Sequence, residues 1–355
     1  MDLPKTLTGL HRDDLVALLE SWGEPSYRAP QILDWVYRKR AKSFSAMTNL
    51  SHGLRDKLMS HFNVRALEQV RDVDSSDTTR KYLFQLHDGR FVESVLIPAS
   101  PALYGEKSDR HTICVSSQVG CAFDCKFCAS GLAGFTRNLD AGEIAEQVTA
   151  VEEASGKTIN NLVFMGMGEP LANLPNLLRA IEIINADWGL GIGARRMTVS
   201  TSGLAPQIEK LARTPLQIRL AISLHGASDE VRRRIMPVND RYPLDRLFAA
   251  LQVWNASKKQ KITFEYILID GVNDSLEQAA MLAKRARSLS AKINLIPYNK
   301  VEGLPWKRPS ETRQEAFLKR LQNEKAQATL RREKGHDINA ACGQLRLKEE
   351  EAAIG

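Results

Sequence analysis

Three of the chain's five cysteines fall within one octapeptide, Cys121-Ala122-Phe123-Asp124-Cys125-Lys126-Phe127-Cys128. The C-x3-C-x2-C spacing puts three thiolates on one short loop, which can hold three irons of a 4Fe–4S cluster and leave the fourth iron open to a ligand. A closed zinc site would need a fourth donor, for which His111 and Cys114 are the nearby candidates. The two other cysteines, Cys114 and Cys342, stand apart. Cys114, in Thr112-Ile113-Cys114-Val115-Ser116, reads in isolation as a buried, inert strand residue. Cys342 sits among small residues beside Gly343 as an approachable thiol whose task chemistry alone does not assign.

Further polar residues end apolar runs. Asn161-Leu162-Val163-Phe164-Met165 leads into Gly166-Met167-Gly168-Glu169-Pro170, where glycines let a ligand approach the backbone and Glu169 can accept from an ammonium group. The pattern is not G-x-G-x-x-G, so no dinucleotide fingerprint is read. Ser200, then Ser223-Leu224-His225, then Asn299 close later strand candidates. Polar groups at the C-terminal ends of parallel strands line the usual ligand face, although each alone is more often a cap or turn.

These residues need elements to place them. Strands are predicted at 111–117, 161–166, 195–201, 216–223, 261–268, 291–297 and 326–332, with helices at 140–154, 173–185, 241–256, 274–288 and 310–323. Repeated βα units imply an α/β fold with a parallel sheet and outer helices, though spacing alone does not separate a partial barrel from a doubly wound sheet. Upstream, Arg80–Leu86 and Phe91–Ile97 flank Asp88-Gly89 as a hairpin. The first part of the chain reads as helical. Leu15, Leu18, Leu19 and Trp22 form one apolar stripe, and Ile32, Leu33, Val36 and Tyr37 a second that ends in Arg38-Lys39-Arg40 with Lys42 close by; Ser51 can cap a third helix.

Composition sets the class. With 355 residues, 43% hydrophobic and 26% charged, the chain suits a large catalytic domain with a small extra one. No apolar run approaches a membrane span of about 18 residues and no signal region opens the chain, so a cytoplasmic protein is expected. A net charge of +7 suits a polyanionic partner without requiring one.

The cysteine triplet, with Phe127 before its last member, resembles the radical S-adenosylmethionine (SAM) superfamily. Ser116-Ser117-Gln118-Val119-Gly120-Cys121, Met165-Gly166-Met167-Gly168-Glu169-Pro170-Leu171, Met236-Pro237-Val238-Asn239-Asp240-Arg241-Tyr242-Pro243 and Ala340-Ala341-Cys342-Gly343-Gln344-Leu345 narrow this to the RlmN/Cfr family of rRNA adenosine methyltransferases. The match extends to Tyr27-Arg28-Ala29-Pro30-Gln31-Ile32 in the helical module.

The resemblance implies a partial (β/α) TIM-like barrel of the radical SAM type with a small N-terminal helical domain. Its expected organisation is an RNA-binding helical domain over 1–65, a β-hairpin linker over 66–98, the barrel over 99–342 and a tail over 343–355. Cys121, Cys125 and Cys128 would hold one 4Fe–4S cluster, and Gly168, Glu169, Ser200, Ser223, Leu224, His225 and Asn299 would contact SAM, two molecules per turnover. Adenine C2 is electron-poor and does not attack SAM directly. By the resemblance, Cys342 is first methylated. A 5′-deoxyadenosyl radical then takes hydrogen from that methyl, and the methylene radical adds to the ring. Glu93 accepts the ring proton, and Cys114 attacks the sulfur of Cys342 to release the product through a disulfide.

The implied substrates are 23S rRNA, at the peptidyl-transferase centre, and certain tRNAs, with an electron donor such as flavodoxin or ferredoxin. A monomer is expected. The basic edge at Arg38-Lys39-Arg40 would grip phosphates, and Arg232-Arg233-Arg234 would assist or simply line a solvated helix face. Pro170 points to C2 methylation over the antibiotic-resistance branch that methylates C8. A non-catalytic RNA-binding module with a structural metal is the rival from another class; anaerobically purified protein without iron and sulfide would favour it.

Overall fold

A ten-stranded sheet forms the spine of the computed structural model, which describes residues 5–75, 79–99, 108–132, 134–301 and 303–331. Seven of its strands are parallel and lie in chain order: His111–Cys114, Asn161–Phe164, Met197–Thr201, Arg219–Ser223, Thr263–Leu268, Lys292–Pro297 and Gln327–Leu330. Helices Ala141–Ser155, Leu174–Asn185, Ala205–Ala212, Leu244–Ser257, Leu276–Ser288 and Glu311–Asn323 connect them. This is the expected partial (β/α) barrel, with each predicted strand and helix present and shortened by a few residues at most.

Alternation along the strands separates two faces. Leu162, Phe164, Val199, Leu220, Ile222, Phe264, Tyr266, Ile293 and Leu295 are fully buried and contribute to the apolar core. The ring of Phe264 meets Phe248 of Leu244–Ser257, and that of Tyr266 stacks on Phe317 of Glu311–Asn323. Burying each such side chain is worth about 1.5–3 kcal/mol. Residues of the other parity, among them Cys114, Val163, Thr198, Ser200, Ser223, Glu265 and Asn294, face the concave side of the barrel.

Local chemistry explains the helix ends. Asp140 and Glu143 form a reciprocal capping box at the start of Ala141–Ser155, and Gly156 ends it in the left-handed region at φ 65°. Ser275 and Ser310 cap two later helices, as Ser51 caps His52–His61.

Residues 66–98 hold more than the anticipated hairpin. Arg80–Leu86 and Phe91–Pro98 pair antiparallel as expected, but Leu67–Asp74 adds a third strand, and the unit continues the barrel sheet through pairing of Phe91–Pro98 with His111–Cys114. Leu67–Asp74 escaped sequence reading because it is an edge strand with a mostly exposed, polar sequence and no buried face to impose alternation.

The N-terminal helices are Arg12–Ser21, Arg28–Tyr37 and His52–His61. The turn ahead of them, Leu7–Gly9, docks against Ala141–Ser155, where the backbone of Gly9 approaches Gly142 so closely that a Cβ on Gly142 would lie 2.7 Å from Gly9 N. The basic run is engaged in ion pairs within the protein. Arg40 pairs with Glu152, Lys42 with Glu153 at 3.3 Å, Lys39 with Asp34 at 3.1 Å and Arg38 with Asp34 at 3.9 Å. Two of these acids come from Ala141–Ser155, so Arg40 and Lys42 help seat the module on the barrel. No helix among the described residues is long and apolar enough to cross a membrane.

Candidate active site

The cysteine loop is pinched at its base by a small hairpin that sequence reading did not anticipate. Gln118–Gly120 pairs antiparallel with Phe135–Asn138, and Cys121 N donates to Gly134 O at 2.9 Å. Gly120 adopts φ 74°, and a Cβ there would fall 1.9 Å from Gly134 O, so only glycine closes the pinch. Inside the loop, Cys128 N donates to Cys125 O at 3.0 Å and Lys126 N to Ile235 O at 2.9 Å. Trp306 Nε1 donates to Lys126 O at 2.7 Å, and the Phe127 ring meets His225 edge-on at 4.8 Å. The loop is thereby tied to three separate parts of the barrel.

Burial pushes the Cys121 thiol up to about 12, with the charge of Glu169 and the neighbouring Cys128 adding to the shift. Cys125 is raised for the same reasons, its two companion thiols contributing, while the Arg232 guanidinium pulls it down. The three thiols and Glu169 thus sense one another electrostatically. Among the described residues no group of three or more His, Cys, Asp or Glu side chains makes a site for a single metal ion. His111, offered as a fourth zinc ligand, lies at the opposite end of its strand with its ring on Thr158 O. The donor set fits a cluster that takes one iron per thiolate, and metal binding is what would deprotonate thiols buried this way.

Beneath the loop runs the glycine segment. A Cβ on Gly166 would lie 2.7 Å from the Val115 carbonyl, and one on Gly168, at φ 96°, 2.5 Å from Gln118 Cβ. Glu169 N donates to Gln118 Oε1 at 2.8 Å, and the Glu169 carboxylate accepts from Leu171 N at 3.1 Å and Ser202 N at 2.6 Å. Glu169 therefore has its carboxylate fixed by two backbone donors, with the Ser202 and Thr201 hydroxyls beside it. Burial raises its pKa against those hydrogen bonds.

Ser200 is buried and Asn299 half-buried at their strand ends. Ser223 lies opposite Glu265, whose backbone carbonyl accepts from Leu224 N at 3.0 Å. His225 is buried at φ 54°, and its Nδ1 accepts from Ile267 N at 3.0 Å, which leaves the proton on Nε2. Burial, helped by the charge of Arg232, lowers its pKa to about 3. The structure thus brings the predicted SAM residues to one rim next to the cysteine loop.

Glu93 and Cys114 also come together. Val95 pairs with both Lys81 and Cys114 across the sheet, so these three share a row and a face, and Glu93 is two residues from Val95 on that face. Ser116 Oγ donates to the Glu93 carbonyl at 2.6 Å. The Glu93 carboxylate pairs with Lys81 at 3.1 Å, both side chains buried. Cys342 lies outside the described residues.

Sequence reading missed several contributors. Arg232, read as part of a surface run, is fully buried and donates to Leu224 O at 3.2 Å, to Asn239 Oδ1 at 2.8 Å and to Ser202 O. Gln147 bridges Ser94 and both backbone groups of Ser116. Lys81, next to Arg80 in its strand, gave no local signal of its own. A cleft of about 450 Å³ between Arg65–Glu68 and Gln85–Gly89 contains none of these residues.

Two family models match the chain: the Radical SAM superfamily over residues 115–283 and the Ribosomal RNA large subunit methyltransferase N-terminal domain over 5–64. A protein of Akkermansia muciniphila named probable dual-specificity RNA methyltransferase RlmN is 54% identical, the alignment covering 98% of this chain and 97% of that one. The dual-specificity RNA methyltransferase RlmN of Campylobacter fetus is 43% identical over 96% and 98%. The crystal structure of a radical SAM methyltransferase from Sphaerobacter thermophilus superposes with a TM-score of 0.90 at 44% identity, covering 96% of this chain and 99% of its own.

Proposed function

The chain belongs to the radical SAM family of dual-specificity RNA methyltransferases, and from that premise we propose that it methylates C2 of one adenine in 23S rRNA and of an adenine in certain tRNAs. The observation that carries this reading is the shared sheet face of Glu93 and Cys114, on neighbouring strands, with Cys114 seven residues upstream of the first loop cysteine. A ring carbon that cannot attack SAM needs a base for its proton and a thiol to release a protein adduct, and these two residues supply them.

A 4Fe–4S cluster with SAM provides the one-electron chemistry when bound. Cys121, Cys125 and Cys128 hold the cluster, while Gly168, Glu169, Ser200, Ser223, Leu224, His225 and Asn299 orient SAM. Cys342 carries the methyl group as a thioether and presents its carbon to the base. Glu93 takes the ring proton, and the Cys114 thiolate attacks the Cys342 sulfur to free the product and leave a disulfide. Each turnover consumes two SAM molecules. We further propose a cytoplasmic monomer that receives electrons from a flavodoxin or ferredoxin.

The test is expression in a host lacking its own C2 methylase, with mass spectrometry of digested rRNA and tRNA nucleosides. 2-Methyladenosine in both RNAs, absent with Cys342→Ala, is the expected result. 8-Methyladenosine would overturn the regiochemistry, and neither product in cells with cluster-loaded protein would overturn the substrate.

A further inference from the structure

We infer that Lys81 is a positioning residue for the Glu93 base, holding its carboxylate in a buried ion pair and so fixing its orientation toward the adduct carbon; this rests on the reading of Glu93 as the proton acceptor. Lys81 Nζ lies 3.1 Å from Glu93 Oε2, with both side chains at or below 1% exposure. The strand register makes this more than a surface pair. Lys81 and Cys114 flank Val95 in one cross-strand row, and Glu93 is diagonal to both on the same face. The base and the releasing thiol are therefore set by the same two strand pairings, with the cation on the side of Glu93 away from the barrel centre.

The physical need is plain. A carboxylate out of contact with water is stable as an anion only when a counter-charge or hydrogen-bond donors compensate it. In the step concerned, the C–H bond at the sp3 ring carbon of the adduct breaks. Its electron pair stays in the ring, the proton goes to a Glu93 oxygen, and the unpaired electron of the adduct is untouched. The Lys81–Oε2 pair fixes the carboxylate on the face it shares with Cys114.

The experiment uses reconstituted holoenzyme and an RNA fragment in which the target adenine carries hydrogen or deuterium at C2. Wild type, Lys81→Met, Lys81→Arg and Glu93→Gln are compared for product formation, for covalent protein–RNA adduct on denaturing gels and for the deuterium effect on product release. Lys81→Met is expected to slow product formation about 100-fold, the lower range for loss of a general base, to accumulate adduct and to enlarge the deuterium effect. Lys81→Arg, which keeps the charge, is expected to recover most of the rate. If Lys81→Met slows turnover with no adduct and an unchanged deuterium effect, its role is only to support the fold and the inference fails. Wild-type rates in Lys81→Met overturn it as well. A Glu93→Gln variant that forms product without accumulating adduct would instead sink the assignment of Glu93, and the inference with it. If Lys81→Met does not fold, Lys81→Arg decides: a restored rate with a normal deuterium effect supports the role, and adduct accumulation despite a retained charge overturns it.

Discussion

Glu146 Oε2 accepts a hydrogen bond from the backbone N–H of Ala66 at 2.7 Å, while Oε1 takes that of Leu67 at 3.2 Å and Thr8 Oγ1 adds a third donor at 3.1 Å. One side chain on the first barrel helix thereby fastens the start of the antiparallel strands and the beginning of the N-terminal module. Burial raises the Glu146 pKa to about 7 despite these donors and the Arg65 charge. A folded-state value above the unfolded one, near 4.5, means the folded protein binds more protons between the two. This contribution to stability is therefore full below about pH 4.5 and lost as pH rises through 7, with a slope of at most about 1.4 kcal/mol per unit. Thermal melts of wild type and Glu146→Gln from pH 4.5 to 8 should show that slope only in wild type; parallel curves would refute it.

The Gly168 and Gly191 pair separates backbone strain from collision. Both have positive φ, but a Cβ on Gly191 meets open space whereas one on Gly168 meets Gln118 at 2.5 Å. Gly191→Ala is expected to cost about 1 kcal/mol, and Gly168→Ala roughly 1–3 kcal/mol more together with a loss of SAM binding. Denaturant melts and calorimetric titration with SAM check both parts; unaltered SAM binding in Gly168→Ala would remove the segment from the SAM site.

Arg232 joins the Ser202 and Leu224 strand ends to Asn239 from within the core. Arg232→Met strands two buried acceptors, Ser202 O and Asn239 Oδ1, while Leu224 O keeps the Gly226 N–H, and should destabilise by about 3–5 kcal/mol. Arg232→Lys should recover little, because an ammonium cannot reproduce the planar fork. Chemical denaturation measures this, and a loss under 1 kcal/mol for Arg232→Met would show the network to be dispensable.

Loop thiols raised by burial should resist alkylation near neutral pH in apoprotein, and loading iron and sulfide should release protons. Anaerobic reconstitution is expected to give about four irons per chain, and Cys125→Ala to lower that content sharply. Full iron content in Cys125→Ala would remove that residue from the ligand set.

Arg40 and Lys42 face acids of the barrel, not solvent alone. Arg40→Ala should therefore loosen the N-terminal module, seen as faster amide exchange in Arg28–Tyr37, while leaving the salt dependence of RNA binding nearly unchanged. A salt slope reduced by about one unit would return Arg40 to the phosphate-binding edge.

Much of this protein is local and so was legible in the chain. Three cysteines within one loop need no fold to be neighbours. Serine caps and Gly156 mark helix ends by their own hydrogen bonds and dihedrals, and apolar periodicity reports which face of each element is buried. The order of βα units then leaves few topologies open. What sequence could not supply was partnership across the chain. Which of Arg232, Arg233 and Arg234 enters the core depends on acceptors at Ser202, Leu224 and Asn239, and Arg40 and Lys42 of the basic edge pair with glutamates from a helix more than 100 residues away. Strand register alone puts Lys81, Glu93 and Cys114 on one face. A shift of one residue would send Glu93 to the opposite side, and only the packed sheet selects between the two.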